Sequence, residues 1–147
     1  MSRLLALSAA LLLSACASTD TARPAVELDH TALHVADLGA SVEFYTSVFG
    51  IPEKPAPGDP TVIRWLDLGD AELHLINFDG EVPPTNKAIH FAFRVTDLDA
   101  VVARVEELGV PYSDWPGEAS TISLRPDGIR QIYVQDPDGH WIEVNDV

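Results

Sequence analysis

Short runs of alternating hydrophobic and polar residues punctuate this chain, and twice such a run gives way to a helical period. From His30 to Val35, Thr31, Leu33 and Val35 fall on one side of an extended segment, and His30, Ala32 and His34 on the other. Asp37 then stands as an N-cap, and Leu38, Val42, Tyr45 and Phe49 recur at helical spacing as one apolar stripe. Gly50 stops that helix and Pro52 blocks its restart. Pro55, Pro57, Gly58 and Pro60 mark an irregular loop, after which Val62 to Leu68 and Glu72 to Phe78 form a hairpin about Gly69-Asp70.

After Pro83-Pro84 the order repeats. Ile89 to Val95 is a strand, and Asp97 to Leu108 a helix with Leu98, Val101, Val105 and Leu108 on one side, stopped by Gly109. Thr121 to Leu124 is a short strand. Ile129 to Val134 and Trp141 to Val144 are strands joined by Asp136-Pro-Asp-Gly139. The likeness extends to residue identity. His30-Thr-Ala-Leu-His-Val-Ala-Asp-Leu-Gly-Ala-Ser-Val42 and His90-Phe-Ala-Phe-Arg-Val-Thr-Asp-Leu-Asp-Ala-Val-Val102 agree at seven of 13 positions at an offset of 60 residues. Gly50-Ile-Pro52 against Gly109-Val-Pro111 resumes the match after one residue of slippage. A duplicated unit of strand, helix and strands sets the fold class as α+β.

In both copies the helix covers one sheet face. Ile132, Val134, Ile142 and Val144 are expected to face it, with Gln131, Tyr133, Trp141 and Glu143 on the opposite face. That opposite face also collects His30, His34, Trp65, His74, His90 and Arg94, more polarity than a core tolerates without partners. The first and last strands of each unit offer one ligand apiece: His30 and His74, then His90 and Glu143. Three imidazoles and one carboxylate suit one divalent ion of Zn, Ni, Fe, Mn or Co, and without His74 the remainder is the two-histidine, one-carboxylate triad of non-haem iron enzymes. His34 is four strand residues, about 13 Å, from His30, so it lines the pocket rather than sharing its metal. Trp65, Gln131, Tyr133, Trp141 and Arg94 are the other pocket candidates. His140 is expected to face solvent, Arg64 and Arg125 to be surface groups, and Arg130 to be the best outside candidate for a substrate anion.

Five pieces carry a resemblance to the vicinal oxygen chelate superfamily: His30-Thr-Ala-Leu-His-Val-Ala-Asp-Leu, Phe44-Tyr45 with Phe49-Gly50, Leu73-His-Leu75, His90-Phe-Ala-Phe, and Tyr133-Val-Gln-Asp-Pro-Asp-Gly-His-Trp-Ile-Glu143. The resemblance implies two tandem βαβββ modules (26–80 and 87–147) forming an open curved barrel around a metal site. In the glyoxalase I-like branch it implies ligands at His30, His74, His90 and Glu143, and a homodimer with each metal between one chain's first module and its partner's second. The implied activity is that of a lyase or isomerase, lactoylglutathione lyase-like, acting on a small substrate with vicinal oxygens through a metal-stabilised enediolate, with Glu143 as catalytic base. Two positions depart from the glyoxalase I pattern: 74 is usually Glu, and 34 commonly Arg. The alternatives are an extradiol-type Fe(II) dioxygenase using His30, His90 and Glu143, and a bleomycin-resistance-like small-molecule binding protein.

The start of the chain has a different character. Arg3 precedes the 10-residue apolar run Leu4 to Leu13, too short to span a bilayer and laid out as a secretory signal. Leu13-Ser-Ala-Cys16 resembles a bacterial lipoprotein cleavage box, which implies a signal over 1–15, lipidation of Cys16, a tether over 16–25 and a domain over 26–147. With no Asp after Cys16, the implied address is the outer membrane, facing the periplasm, the lipid anchor being the only membrane contact. Cys16 is the sole cysteine, so no intramolecular disulfide forms. Nine basic against 23 acidic residues, a net charge of −14, exclude nucleic acid as a partner.

Overall fold

The computed structural model describes residues 25–146. The signal, Cys16 and most of the tether lie outside the described residues. Within them no helix is long and apolar enough to cross a membrane.

The first module comprises β1 (His30–His34), α1 (Leu38–Phe49), β2 (Glu53–Lys54), β3 (Ile63–Asp67) and β4 (Glu72–Ile76). The second comprises β5 (His90–Val95), α2 (Leu98–Glu107), β6 (Tyr112–Ser113), β7 (Ser123–Leu124), β8 (Arg130–Gln135) and β9 (Trp141–Asp146). Both helices begin as the sequence directs. The Asp37 carboxylate accepts from the Ala40 amide at 3.0 Å, and that of Asp97 from the Ala100 amide at 2.9 Å. Each satisfies one orphan donor of the first turn. Gly50, at φ 68°, ends α1 in a left-handed conformation that a side chain would disfavour.

The buried stripes differ in detail from those expected. In α1 the buried residues are Leu38, Ser41, Tyr45 and Val48, while Val42 and Phe49 are half-buried. In α2, Leu98 and Val105 are buried, and Leu108 is 41% exposed because it caps the helix beyond its last packed turn. The short strands β2 and β6 were not expected. Each follows directly on Pro52 or Pro111 and is only two residues long, too short to show an alternation.

Sheet one runs β1-β4-β3-β2 and sheet two β5-β9-β8-β6, with β7 added on β8. In each the first strand pairs in parallel with the last, and the inner hairpin is antiparallel. As an open arrangement requires, among the described residues the two sheets share no ladder. They meet through side chains instead. Leu66, Leu73 and Leu75 of sheet one and Ile132, Val134, Ile142 and Val144 of sheet two belong to one buried cluster with Tyr45, Leu98 and Val105. Burial of each such residue contributes about 1.5–3 kcal/mol.

A second connection is polar. The turn between β8 and β9 straps onto the junction of β1 and α1. The Tyr45 hydroxyl donates to Asp136 at 2.9 Å, the Ala36 amide to Asp138 at 3.0 Å, and His140 Nε2 lies 2.8 Å from the His34 carbonyl. The Asp138 and His140 amides also donate to Asp136. Burial, then the Asp136 carboxylate beside it, pushes the Tyr45 hydroxyl well above the ordinary tyrosine range, so it stays a donor. His140 is therefore half-buried between the modules, not facing solvent as expected.

Candidate metal centre

The pairing register builds two equivalent half-sites. In sheet one Ala32 lies opposite His74, which lies opposite Trp65 on its other side. In sheet two Ala92 lies opposite Glu143, which lies opposite Tyr133. An alanine on the first strand leaves room beside the donor on the last. The donor strands carry leucine or isoleucine into the core at Leu73, Leu75 and Ile142, so the alternating donor must face away from it.

The first half-site is a stack. The His74 ring lies 4.2 Å from that of His30 and 4.3 Å from that of Trp65, nearly parallel to both. His30 Nδ1 meets the Asp29 carboxylate at 2.6 Å, and His74 Nε2 the Glu72 carboxylate at 2.7 Å. Each imidazole so held keeps one nitrogen free, Nε2 on His30 and Nδ1 on His74. Lys54 completes the cluster 2.6 Å from Glu72. The hydrogen bond from His74, then that from Lys54, holds the Glu72 carboxyl below the usual carboxylate range.

In the second half-site His90 Nδ1 lies 2.8 Å from the Lys87 carbonyl and His90 Nε2 3.2 Å from Glu143 Oε2. A carbonyl oxygen only accepts, so Nδ1 carries a hydrogen, and Nε2 faces a carboxylate that also only accepts. That arrangement calls for a cation between Nε2 and Oε2, a proton or a metal. Donor atoms 3.2 Å apart are spaced as neighbours around an ion bound at about 2.0–2.2 Å. The Tyr133 hydroxyl donates to Glu143 Oε2, and Gln131 Nε2 to that hydroxyl at 3.2 Å. Burial, then the hydrogen bond to Glu143, pushes Tyr133 far above its ordinary value. Arg125 reaches Glu143 Oε1 at 3.6 Å.

The donor set and its orientation fit a divalent metal: ring nitrogens held from behind by a carboxylate or carbonyl are the usual outer shell of metal-binding histidines. The chain nevertheless places His30 with His74 and His90 with Glu143 as two pairs. Among the described residues no three His, Cys, Asp or Glu side chains converge on a common point.

The other expected pocket residues divide. Trp65, Gln131 and Tyr133 touch donors or their partners. Trp141 packs beneath the Lys87 ammonium at 4.6 Å. His34 stacks on Phe78 at 4.0 Å, away from both pairs. Arg94 is exposed and lines a groove of about 620 Å³ with Phe49, Ile51, Phe93 and Val101. Arg130 is paired with Asp99 and Asp146 and is not free for a substrate anion, in contrast to expectation. Arg64 is occupied by Glu53.

Sequence reasoning missed Asp29, Glu72, Lys87, the contact from Arg125, and Trp115, whose ring packs edge-on against His90 and Tyr133. Glu72 had a signal, since two residues before His74 on a strand is the same face. Lys87 and Trp115 lie on loops with no period to read.

Residues 27–144 match the model of the glyoxalase/bleomycin resistance protein/dioxygenase superfamily. The uncharacterized protein YwbC of Bacillus subtilis (strain 168) is 32% identical over 126 residues, which are 81% of this chain and 96% of that protein. Among solved structures, the oxidase ChaP-H1 is 32% identical with a TM-score of 0.69, over 84% of this chain and 97% of that one. The lactoylglutathione lyase from Agrobacterium tumefaciens is 25% identical with a TM-score of 0.65, over 84% and 96%.

Proposed function

Because the chain belongs to the glyoxalase/bleomycin resistance protein/dioxygenase superfamily, we propose that it is a metal-dependent enzyme of the glyoxalase I-like lyase and isomerase type, acting on a small substrate with two adjacent oxygens. The single observation that supports this most directly is the matched pair of half-sites: His30 with His74 and His90 with Glu143, each pair beside an alanine of its module's first strand. A divalent ion held by these residues supplies a Lewis acid that polarises the adjacent oxygens and acidifies a neighbouring C–H.

The chain's own groups handle the proton. Glu143 is the only carboxylate among the four donors and is the base. Tyr133 holds its Oε2, while Arg125 stands by Oε1. Trp65 and Trp141 give the substrate apolar walls. Since no three of these donors converge within the described chain, the full set assembles in a homodimer, one copy's first module facing the other's second. Cys16 lipidation would hold this domain at the periplasmic face of the outer membrane, and loss of lipid labelling in Cys16→Ser checks that assignment.

The experiment is metal analysis of the full-length chain, purified without a histidine tag, beside His90→Ala. Near-stoichiometric divalent metal in the wild type and its loss in the variant is the expected result. A wild type that stays metal-free after reconstitution overturns the enzyme and leaves a binding protein.

A second reading is favoured by one stack. The His74 ring is stacked between those of His30 and Trp65, and with His74 kept there as a packing residue, His30, His90 and Glu143 remain as the facial triad of an Fe(II) dioxygenase. The similarity to ChaP-H1 is to a protein described as an oxidase. Fe(II)-dependent O₂ consumption with catechols, unaffected by His74→Ala, would favour it over proton transfer.

A further inference from the structure

Lys87 stands outside the donor set, yet contacts radiate from it to both donors of the second half-site. Its backbone carbonyl takes the Nδ1 side of His90 at 2.8 Å. Its ammonium is anchored 2.7 Å from the Asp114 carbonyl, 3.0 Å from Ser113 Oγ and 3.3 Å from the Trp115 carbonyl. The same ammonium lies over the Tyr133 ring at 5.2 Å and the Trp141 ring at 4.6 Å. Tyr133 in turn packs edge-on against His90 and donates to Glu143. Among the described residues this ammonium has no carboxylate partner, although acidic residues outnumber basic ones 23 to 9. Every contact it makes is to a neutral oxygen or an aromatic face.

We propose that Lys87 is a positioning residue for the metal half-site: its anchored ammonium fixes where its own carbonyl sits, which locks His90 with Nε2 toward Glu143, and it steadies the Tyr133 ring that orients Glu143. This rests on the metal reading of the same residues. The physical basis is that outer partners set both the tautomer and the direction of a metal-binding histidine, and their loss costs roughly 10–100-fold in metal affinity. A cation over two aromatic rings and three oxygens is a strong anchor for one loop residue, because all its contacts act at once. The turn Asn86 to His90 makes the transfer direct: Asn86 accepts from the Ala88 and Ile89 amides, leaving the Lys87 carbonyl to His90 alone.

The test compares Lys87→Met, which keeps the stem and removes the charge, with Lys87→Arg, which keeps a cation. The His90 ring is read by ¹⁵N NMR of the metal-free protein at fixed pH, and Zn²⁺ affinity by competition with a chelating dye. The wild type should show the Nδ1–H form of His90. Lys87→Met should show a mixture of tautomers and a Zn²⁺ affinity lower by about 10-fold or more, and Lys87→Arg should restore both towards wild type. An unchanged His90 spectrum and unchanged affinity in Lys87→Met overturns the proposal. So does equal loss in both variants accompanied by equal falls in melting temperature, which is the pattern of a purely structural lysine. Should the wild type bind no Zn²⁺, the metal reading fails, while the His90 spectrum still decides whether Lys87 holds that ring.

Discussion

The two modules share one backbone plan and pair their donors at the same register, yet they surround those donors with opposite charge. In the first, two imidazoles are backed by the carboxylates of Asp29 and Glu72. In the second, a pair that already includes the Glu143 carboxylate is flanked by Arg125 and Lys87. The first half-site thus carries carboxylates behind its donors, and the second carries cations beside its own. The first is also the more open, with the His30 side chain 43% exposed against 25% for His90. Duplication kept what packing demands, the core positions and the capping aspartates, while the polar faces diverged. Chemistry on a conserved frame is set by few positions.

Three perturbations test how far the likeness goes. Leu73 and Ile142 precede the two donors on their strands and are both fully buried. Truncating either to alanine should cost about 2–5 kcal/mol in urea unfolding. Similar costs would show that the cores are equivalent beneath unlike faces, and a large asymmetry would show that one module carries the stability. Next, Glu72→Gln and Tyr133→Phe each remove an outer partner from one half-site. Each is expected to weaken Zn²⁺ binding by roughly 10-fold, measured by dye competition; if only one does, the outer shells are not equivalent either. The smallest effect lies at the surface. The Arg130 guanidinium beside Asp99 holds that carboxyl below its usual range. A depressed folded value means the pair's stabilisation is present above the unfolded value of about 3.9 and is lost as pH falls through the folded one. Asp99→Asn, in thermal melts across pH 2–6, should flatten part of this acid loss and change little at pH 7. The first module has its own depressed carboxylates in Glu72 and Glu53, so Asp99→Asn should remove only part of the acid response.

Much of this was legible in the sequence. Period-two alternation placed His30, His74, His90 and Glu143 on the faces turned from the helices, and the repeat gave both helices their aspartate caps. The strands that escaped, β2 and β6, are too short to carry a period. The separation of the donors into two pairs accords with the shared site that the resemblance implies, but alternation alone does not give it, because it assigns a face and not the distance between two sheets. Arg130 was misjudged because its partners come from α2 and the end of β9, far apart in sequence. Lys87 and Trp115 act from loops, where position follows from tertiary contacts alone.

The strap between the β8–β9 turn and the β1–α1 junction has a kinetic consequence. Its bonds close over sequence separations of 91 to 106 residues, among the longest loops this chain is able to make. Contacts of that span form late, since the entropy of closing the loop is lost before they repay it. The first module emerges first during synthesis, but Tyr45 must wait for Asp136. Until the final hairpin arrives, the opening strand and helix hold a half-made core, and the last dozen residues complete the fold of the first.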